Sequence, residues 1–158
     1  MRNAIEFTLN GRRVHVEGVS PNTTLLQYLR HAGLTGAKEG CAEGDCGACA
    51  VVILERDARG RPCYRALNSC LVPFCLMAGR EILSVEGVAA GSRLHPVQEQ
   101  MVRHHGSQCG YCTPGFVMSL FEGYYRGDIR QAGQLDDQLS AISAAAPAAA
   151  RFARPPER

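Results

Sequence analysis

No stretch of this sequence approaches the roughly 18 consecutive apolar residues of a membrane-spanning helix. The most apolar segment, 70–79, falls far short of that length. A large charge of one sign is also missing: 17 basic and 15 acidic side chains leave a net +2. That balance predicts neither a nucleic-acid partner nor attraction to an anionic membrane. The opening residues, Met1-Arg-Asn-Ala-Ile-Glu6, contain an acid and no apolar run, so they do not read as a secretory signal and a cytoplasmic location is expected. Nor is there a phosphate loop, a Ser/His/Asp set or a paired-carboxylate signature, so hydrolysis and group transfer on this chain are not expected.

What is present is cysteine, eight in 158 residues. Without a secretory signal, a disulfide framework explains them poorly, and metal or cluster binding explains them better. The remaining composition, 46% hydrophobic and 20% charged, is that of an ordinary globular chain of one domain or two small ones.

The pattern along the chain predicts an α+β fold. In Ala4–Leu9, Ile5, Phe7 and Leu9 alternate with Glu6 and Thr8, which reads as a half-buried strand. Asn10-Gly11 suits a type I′ turn into a second strand through Val14 and Val16. Leu25, Leu26 and Leu29 predict a short helix, capped by Asn22 or Thr23 and ended by Gly33. Segment 38–47, with Gly40, Gly44 and Gly47, reads as a loop; strands are expected at 50–54, 64–67 and 82–85. Beyond Gly87 the pattern turns helical. Pro96 opens a helix capped by His95 and stopped by Gly106. Thr113 is expected to cap the next, with Phe116, Leu120 and Tyr124 stacked on one face, Val117 and Phe121 beside them, and Gly127 at its end. Leu135–Leu139 opens a third. Two small domains, 1–87 and 88–139, are expected, followed over 140–158 by an Ala/Pro/Arg tail without cysteine that reads as disordered.

Cys41, Cys46 and Cys49 have the C-x₄-C-x₂-C spacing of plant-type [2Fe–2S] ligation. Three thiolates converge on a two-iron rhomb only if the loop wraps it, and the glycines relax the backbone angles that wrapping needs. Inward-turned N–H groups can then donate to the sulfurs. Cys70, past the 50–67 hairpin, is the best fourth ligand. Zinc is the rival, because Cys46-x-x-Cys49 also fits half a zinc site. Cys109-Gly-Tyr-Cys112 sits at a helix start, where the dipole favours thiolate. Its spacing alone fits a redox pair, half a zinc site or half a cluster site. Cys75, between Phe74 and Leu76, is expected in the core; Cys63 has no spacing partner. His104 and His105 read as solvated surface histidines.

In order along the chain, Gly40-Cys-Ala-Glu-Gly-Asp-Cys-Gly-Ala-Cys49, Leu67-Asn-Ser-Cys70, Leu94-His-Pro-Val-Gln98 and Gln108-Cys-Gly-Tyr-Cys-Thr-Pro-Gly-Phe116 resemble the iron–sulfur subunit or domain of the molybdenum hydroxylases. That family includes xanthine dehydrogenase, aldehyde oxidoreductase and carbon monoxide dehydrogenase. The resemblance runs from about Ile5 to Leu139, and segments 67–78 and 116–126 look most like bacterial xanthine dehydrogenase small subunits. It implies a β-grasp ferredoxin-like domain followed by a helical-bundle domain with a second [2Fe–2S] cluster. It also implies electron flow from molybdopterin on a catalytic partner toward FAD on a partner subunit or domain. By the same resemblance Cys41, Cys46, Cys49 and Cys70 hold the first cluster, Cys109 and Cys112 are half of the second, and Gln108 lies near the pterin. The family pattern then continues with a C-x-C pair and a fourth helix. Here Leu139 is followed by the cysteine-free tail, so the helical domain is expected to be incomplete and the reading frame truncated or frameshifted. A zinc-stabilised binding module and a degenerate fragment of the same family are the alternative outcomes.

Overall fold

The computed structural model describes residues 4–140 and Ile142. Apart from Ser140 and Ile142, the tail expected to be disordered lies outside the described residues. Strand β1 (Ile5–Leu9) turns through Asn10 and Gly11, both at positive φ (50° and 76°), into β2 (Arg12–Val16), the type I′ geometry expected of Asn-Gly. Helix α1 (Leu25–His31) follows; β3 (Ala50–Arg56) and β4 (Pro62–Asn68) form a second hairpin, and β5 (Glu81–Leu83) completes the sheet. The strand order is β2-β1-β5-β3-β4, with β1 and β5 parallel and every other neighbouring pair antiparallel. This is the expected β-grasp arrangement within an α+β chain.

The sheet is apolar on both faces. Ile5, Phe7, Leu9, Val51, Ile53 and Ile82 pack with Leu25, Leu26 and Leu29 of α1 and with Phe74. Phe7, Tyr28 and Phe74 meet edge-on and stacked, at ring separations of 4.1–5.6 Å. On the opposite face Ala50 and Val52 pack under Phe116, Val117, Met118 and Phe121 of α3 (Thr113–Arg126). Alternation within β3 therefore feeds two cores, which is why its residues 50–54 are apolar without interruption. Each large side chain fully buried there is worth about 1.5–3 kcal/mol.

The helical half comprises α2 (Pro96–Arg103), α3 and α4 (Ala132–Leu139). Ile142 is also buried, its N–H donating to the Leu139 carbonyl. Leu120 is half-buried and Tyr124 exposed, and with Pro96, Val97, Ile129 and Leu135 they line an open apolar groove among the described residues; Phe116, expected on the same face, is instead fully buried against the sheet. Among the described residues no helix is long and apolar enough to cross a membrane.

Several local expectations are corrected. Thr24, rather than Asn22 or Thr23, caps α1, because only it forms a reciprocal capping box with Gln27. His105, at φ 50°, makes the left-handed exit after α2 one residue before Gly106. Cys112, not Thr113, is the N-cap of α3; the Thr113 hydroxyl instead pairs with Ser107 at 2.8 Å. Ser84 leaves the ladder to bond Asn10 and Glu86, so β5 ends at Leu83. Cys75 is exposed rather than core: the 3₁₀ turn Phe74–Met77 has three residues per turn, which sends Phe74 and Met77 inward and Cys75 outward.

His95 caps α2 as expected. Its Nδ1 accepts from the Val97 N–H at 3.2 Å, so its Nε2 carries the hydrogen donated to Tyr125 Oη. Protonation would remove the accepting lone pair. Burial already holds this imidazole below its ordinary 6.5, against the opposing charge of Glu99. The capping contribution is therefore complete above pH 6.5 and lost as pH falls from there through the lowered folded value. His95→Ala should cost about 1 kcal/mol at pH 7.5 and clearly less at pH 5.5, whereas His95→Asn should retain a cap at both. Urea denaturation at the two pH values measures this; an equal cost of His95→Ala at both would refute the capping role.

Candidate metal centre

The loop between α1 and β3 curls because Ala42, Gly44 and Gly47 all take positive φ (57°, 80° and 66°). Its ends are pinned by Lys38 N–H donating to the Ala48 carbonyl and Ala50 N–H to the Gly47 carbonyl, each at 3.0 Å. The β3–β4 register pairs Ala50 with Asn68, so Cys49 just before β3 and Cys70 just after β4 emerge at the same end of one hairpin. Ser69, fully buried, ties that end together: its Oγ donates to the Cys49 carbonyl at 2.7 Å. Asn68 Nδ2 donates to the Gly44 carbonyl and draws the loop over the hairpin end.

Cys41, Cys46, Cys49 and Cys70 are thus brought together, the first two half-buried and the last two buried. Backbone N–H groups of Cys46 (3.4 Å) and Glu43 (3.3 Å) donate to the Cys41 sulfur, with help from the Cys46 side chain and the Asp45 amide, and draw its thiol down to about 7. Burial, then the Cys49 side chain, pushes the Cys70 thiol up to about 11, opposed by the Gly44 amide. The thiols are neighbours in two pairs, Cys41 with Cys46 and Cys49 with Cys70. Among the described residues no three His, Cys, Asp or Glu side chains gather as a site for a single ion. Two thiolates for each of two irons, with amides aimed at sulfur, is the donor arrangement that a [2Fe–2S] cluster requires. These residues fit the group.

The second cysteine pair lies elsewhere in the sequence but close to this loop. Cys109 is exposed and Cys112 half-buried at the start of α3, with Gly110 at φ 85° between them. Gly115, in the first turn of α3, rests on the loop backbone: a Cβ there would sit 2.3 Å from the Gly47 carbonyl oxygen. Two thiols alone do not make a four-ligand site. Cys63, half-buried on β4 opposite Glu55, and the exposed Cys75 are not drawn to either set. His104 and His105 are exposed, and Gln108 lies exposed beside Cys109. The sequence motifs contain Asn68, Ser69 and Gly115, but sequence reasoning assigned none of them a role. Asn68 and Ser69 could have been given one by asking what holds the residues next to Cys70; the contact of Gly115 with Gly47 had no local signal.

Residues 7–75 match the family of 2Fe-2S iron-sulfur cluster binding domains, and residues 84–144 match the family of [2Fe-2S] binding domains. The chain is 46% identical over 121 residues to xanthine dehydrogenase of Blastobotrys adeninivorans, covering 75% of this chain and 9% of that protein. It is 47% identical over 117 residues to xanthine dehydrogenase/oxidase of Rattus norvegicus, covering 73% of this chain and 9% of that protein. The chain therefore spans about 9% of the length of these curated relatives. Among solved structures, quinoline 2-oxidoreductase from Pseudomonas putida 86 superposes with a TM-score of 0.75 at 30% identity, over 97% of this chain and 96% of that one. Aldehyde oxidoreductase from Desulfovibrio gigas gives 0.74 at 32% identity, over 86% and 14%.

The Gly115 contact is with backbone, which cannot swing aside as a flexible side chain can. Gly115→Ala should destabilise the chain by about 1–3 kcal/mol through overpacking. It should also speed hydrogen exchange in 40–49 more than in β1 and β2. Denaturation with peptide-resolved exchange measures both; unchanged exchange in 40–49 would show that α3 does not brace the loop.

Proposed function

This chain belongs to the [2Fe–2S] iron–sulfur family of the xanthine dehydrogenases and aldehyde oxidases, and from that membership we propose that it is the electron-transfer component of a molybdenum hydroxylase of the xanthine dehydrogenase type. A [2Fe–2S] cluster held by the chain supplies one-electron oxidation and reduction. The chain's own residues bind thiolate to iron, donate amide hydrogen bonds to sulfur and keep one side of the site dry. Cys41, Cys46, Cys49 and Cys70 are the proposed ligands of the first cluster. Cys109 and Cys112 are proposed as half of a second set, with Gln108 toward the molybdopterin side. Units 1–87 and 88–139 divide these two tasks. The partners proposed are a molybdopterin-binding catalytic subunit and an FAD-binding subunit or domain, in the cytoplasm, with no role for nucleic acid or membrane. No substrate chemistry is assigned to this chain.

One observation carries this reading: four thiols, 29 residues apart at their extremes, fall in two neighbouring pairs, Cys49 and Cys70 at the end of one hairpin and Cys41 and Cys46 on the loop that closes over it, with loop amides donating to sulfur. Redox function follows from that chemistry, because donor hydrogen bonds and partial burial set the potential of an anionic cluster.

Anaerobic reconstitution with iron and sulfide should load about two irons per chain, all at the first site. Cys70→Ser should weaken or shift the electron paramagnetic resonance signal of the reduced protein, and Cys63→Ser and Cys75→Ser should leave it unchanged. Loss of the signal in Cys63→Ser with Cys70→Ser unaffected would overturn the ligand assignment. Four irons with two distinct signals would show that the second site is completed by a route other than these cysteines.

A further inference from the structure

Tyr111, between Cys109 and Cys112, donates its hydroxyl hydrogen to the backbone carbonyl of Glu39, 72 residues earlier. The bond joins the loop that carries Cys41, Cys46 and Cys49 to the segment that carries Cys109 and Cys112. Packing does not account for this side chain, since it is 49% exposed and belongs to neither buried core. What the phenol adds over a plain ring is its reach to that carbonyl.

The carbonyl it holds is in a particular place. The next residue, Gly40, lies so close to the first site that a Cβ there would come within 2.7 Å of Cys46 Sγ. The Glu39–Gly40 peptide therefore meets the Tyr111 hydroxyl at its carbonyl and lies beside the Cys46 sulfur at its Gly40 end. At the other end of the same loop, Gly115 abuts the Gly47 carbonyl. Contacts at both ends fix the orientation of the α3 start against the loop, where one alone would leave a pivot.

We propose that Tyr111 is a positioning residue: its hydroxyl pins the Glu39–Gly40 peptide against the Cys46 sulfur and couples the two cysteine segments. This rests on reading Cys46 as a cluster ligand. Two consequences follow. Opening one segment frees the other, because the hydrogen bond is shared between them. The phenolic O–H also directs the positive end of its dipole toward the loop, which favours an added electron at an anionic site nearby.

The test compares Tyr111→Phe, which removes the hydroxyl and keeps the ring, with Tyr111→Leu, which removes both. Hydrogen exchange in 38–47 and 107–113 should accelerate roughly threefold to tenfold in Tyr111→Phe, with and without bound iron, while β1 and β2 stay unchanged. Iron content and visible spectrum should match the unmodified chain. At a fixed ambient potential the ratio of reduced to oxidised protein should fall about twofold, a readout that a purely structural role would not move. Tyr111→Leu should reproduce these changes. Unaltered exchange at 38–47, or an unaltered ratio, in Tyr111→Phe overturns the proposal. So does a change seen only in Tyr111→Leu, which would make the ring the link. Failure of the underlying cluster reading is separable: the unmodified chain would then bind no iron, while the exchange of the metal-free chain would still report the coupling.

Discussion

The pairing of β3 with β4 sets the position of almost everything that matters chemically in this chain. Seven residue pairs, from Ala50 with Asn68 to Arg56 with Pro62, hold the hairpin in one register. A slip of one residue would turn Val51 and Ile53 out of one core and Val52 out of the other. Burial on both faces thus locks the register, and the register in turn sets Cys49 beside Cys70. The loop can then close over that end, because Ser69 and Asn68 give it hydrogen-bond anchors there. Hydrophobic packing, in which Cys49 and Cys70 themselves take part, thereby prepares a site for thiolate chemistry.

Electrostatics within the site divides the four thiols by environment. Cys41 is half-buried and surrounded by backbone N–H donors, so its thiolate is favoured. Cys70 is buried under the loop, and desolvation disfavours its charge until a cation replaces the lost water. At the proposed site a pair of irons would supply that charge. The amide donors serve a second purpose, since they moderate the negative charge of bound thiolates without adding a titrating group.

Docking of α3 across the sheet brings the second cysteine region onto the loop that carries the first. The helix buries Phe116, Met118 and Phe121 on β3 and β4, and its first turn is thereby carried onto the loop at Gly47. Close approach is possible there because position 115 has no side chain. The open groove beside Leu120 and Tyr124 shows that α2, α3 and α4 leave part of this apolar surface uncovered among the described residues.

Much of this was legible from order and spacing alone. The Asn10-Gly11 hairpin, the buried strand from Ala50, the helix ended by Gly127 and the wrapped loop at Cys41–Cys49 follow from backbone sterics and side-chain periodicity, which act over a few residues. Fine positions such as the Thr24 cap, the Cys112 cap and the outward Cys75 were not legible. They depend on which of several adjacent residues finds a partner after packing. The contacts of the site lie still further from sequence reach. Asn68 with Gly44, Gly115 with Gly47 and Tyr111 with Glu39 join residues 24, 68 and 72 positions apart. Sequence alone determined which residues could serve as ligands and what local shapes they would take. Only tertiary structure decided which of them meet, because a contact across such a separation depends on how the whole sheet and its two cores pack.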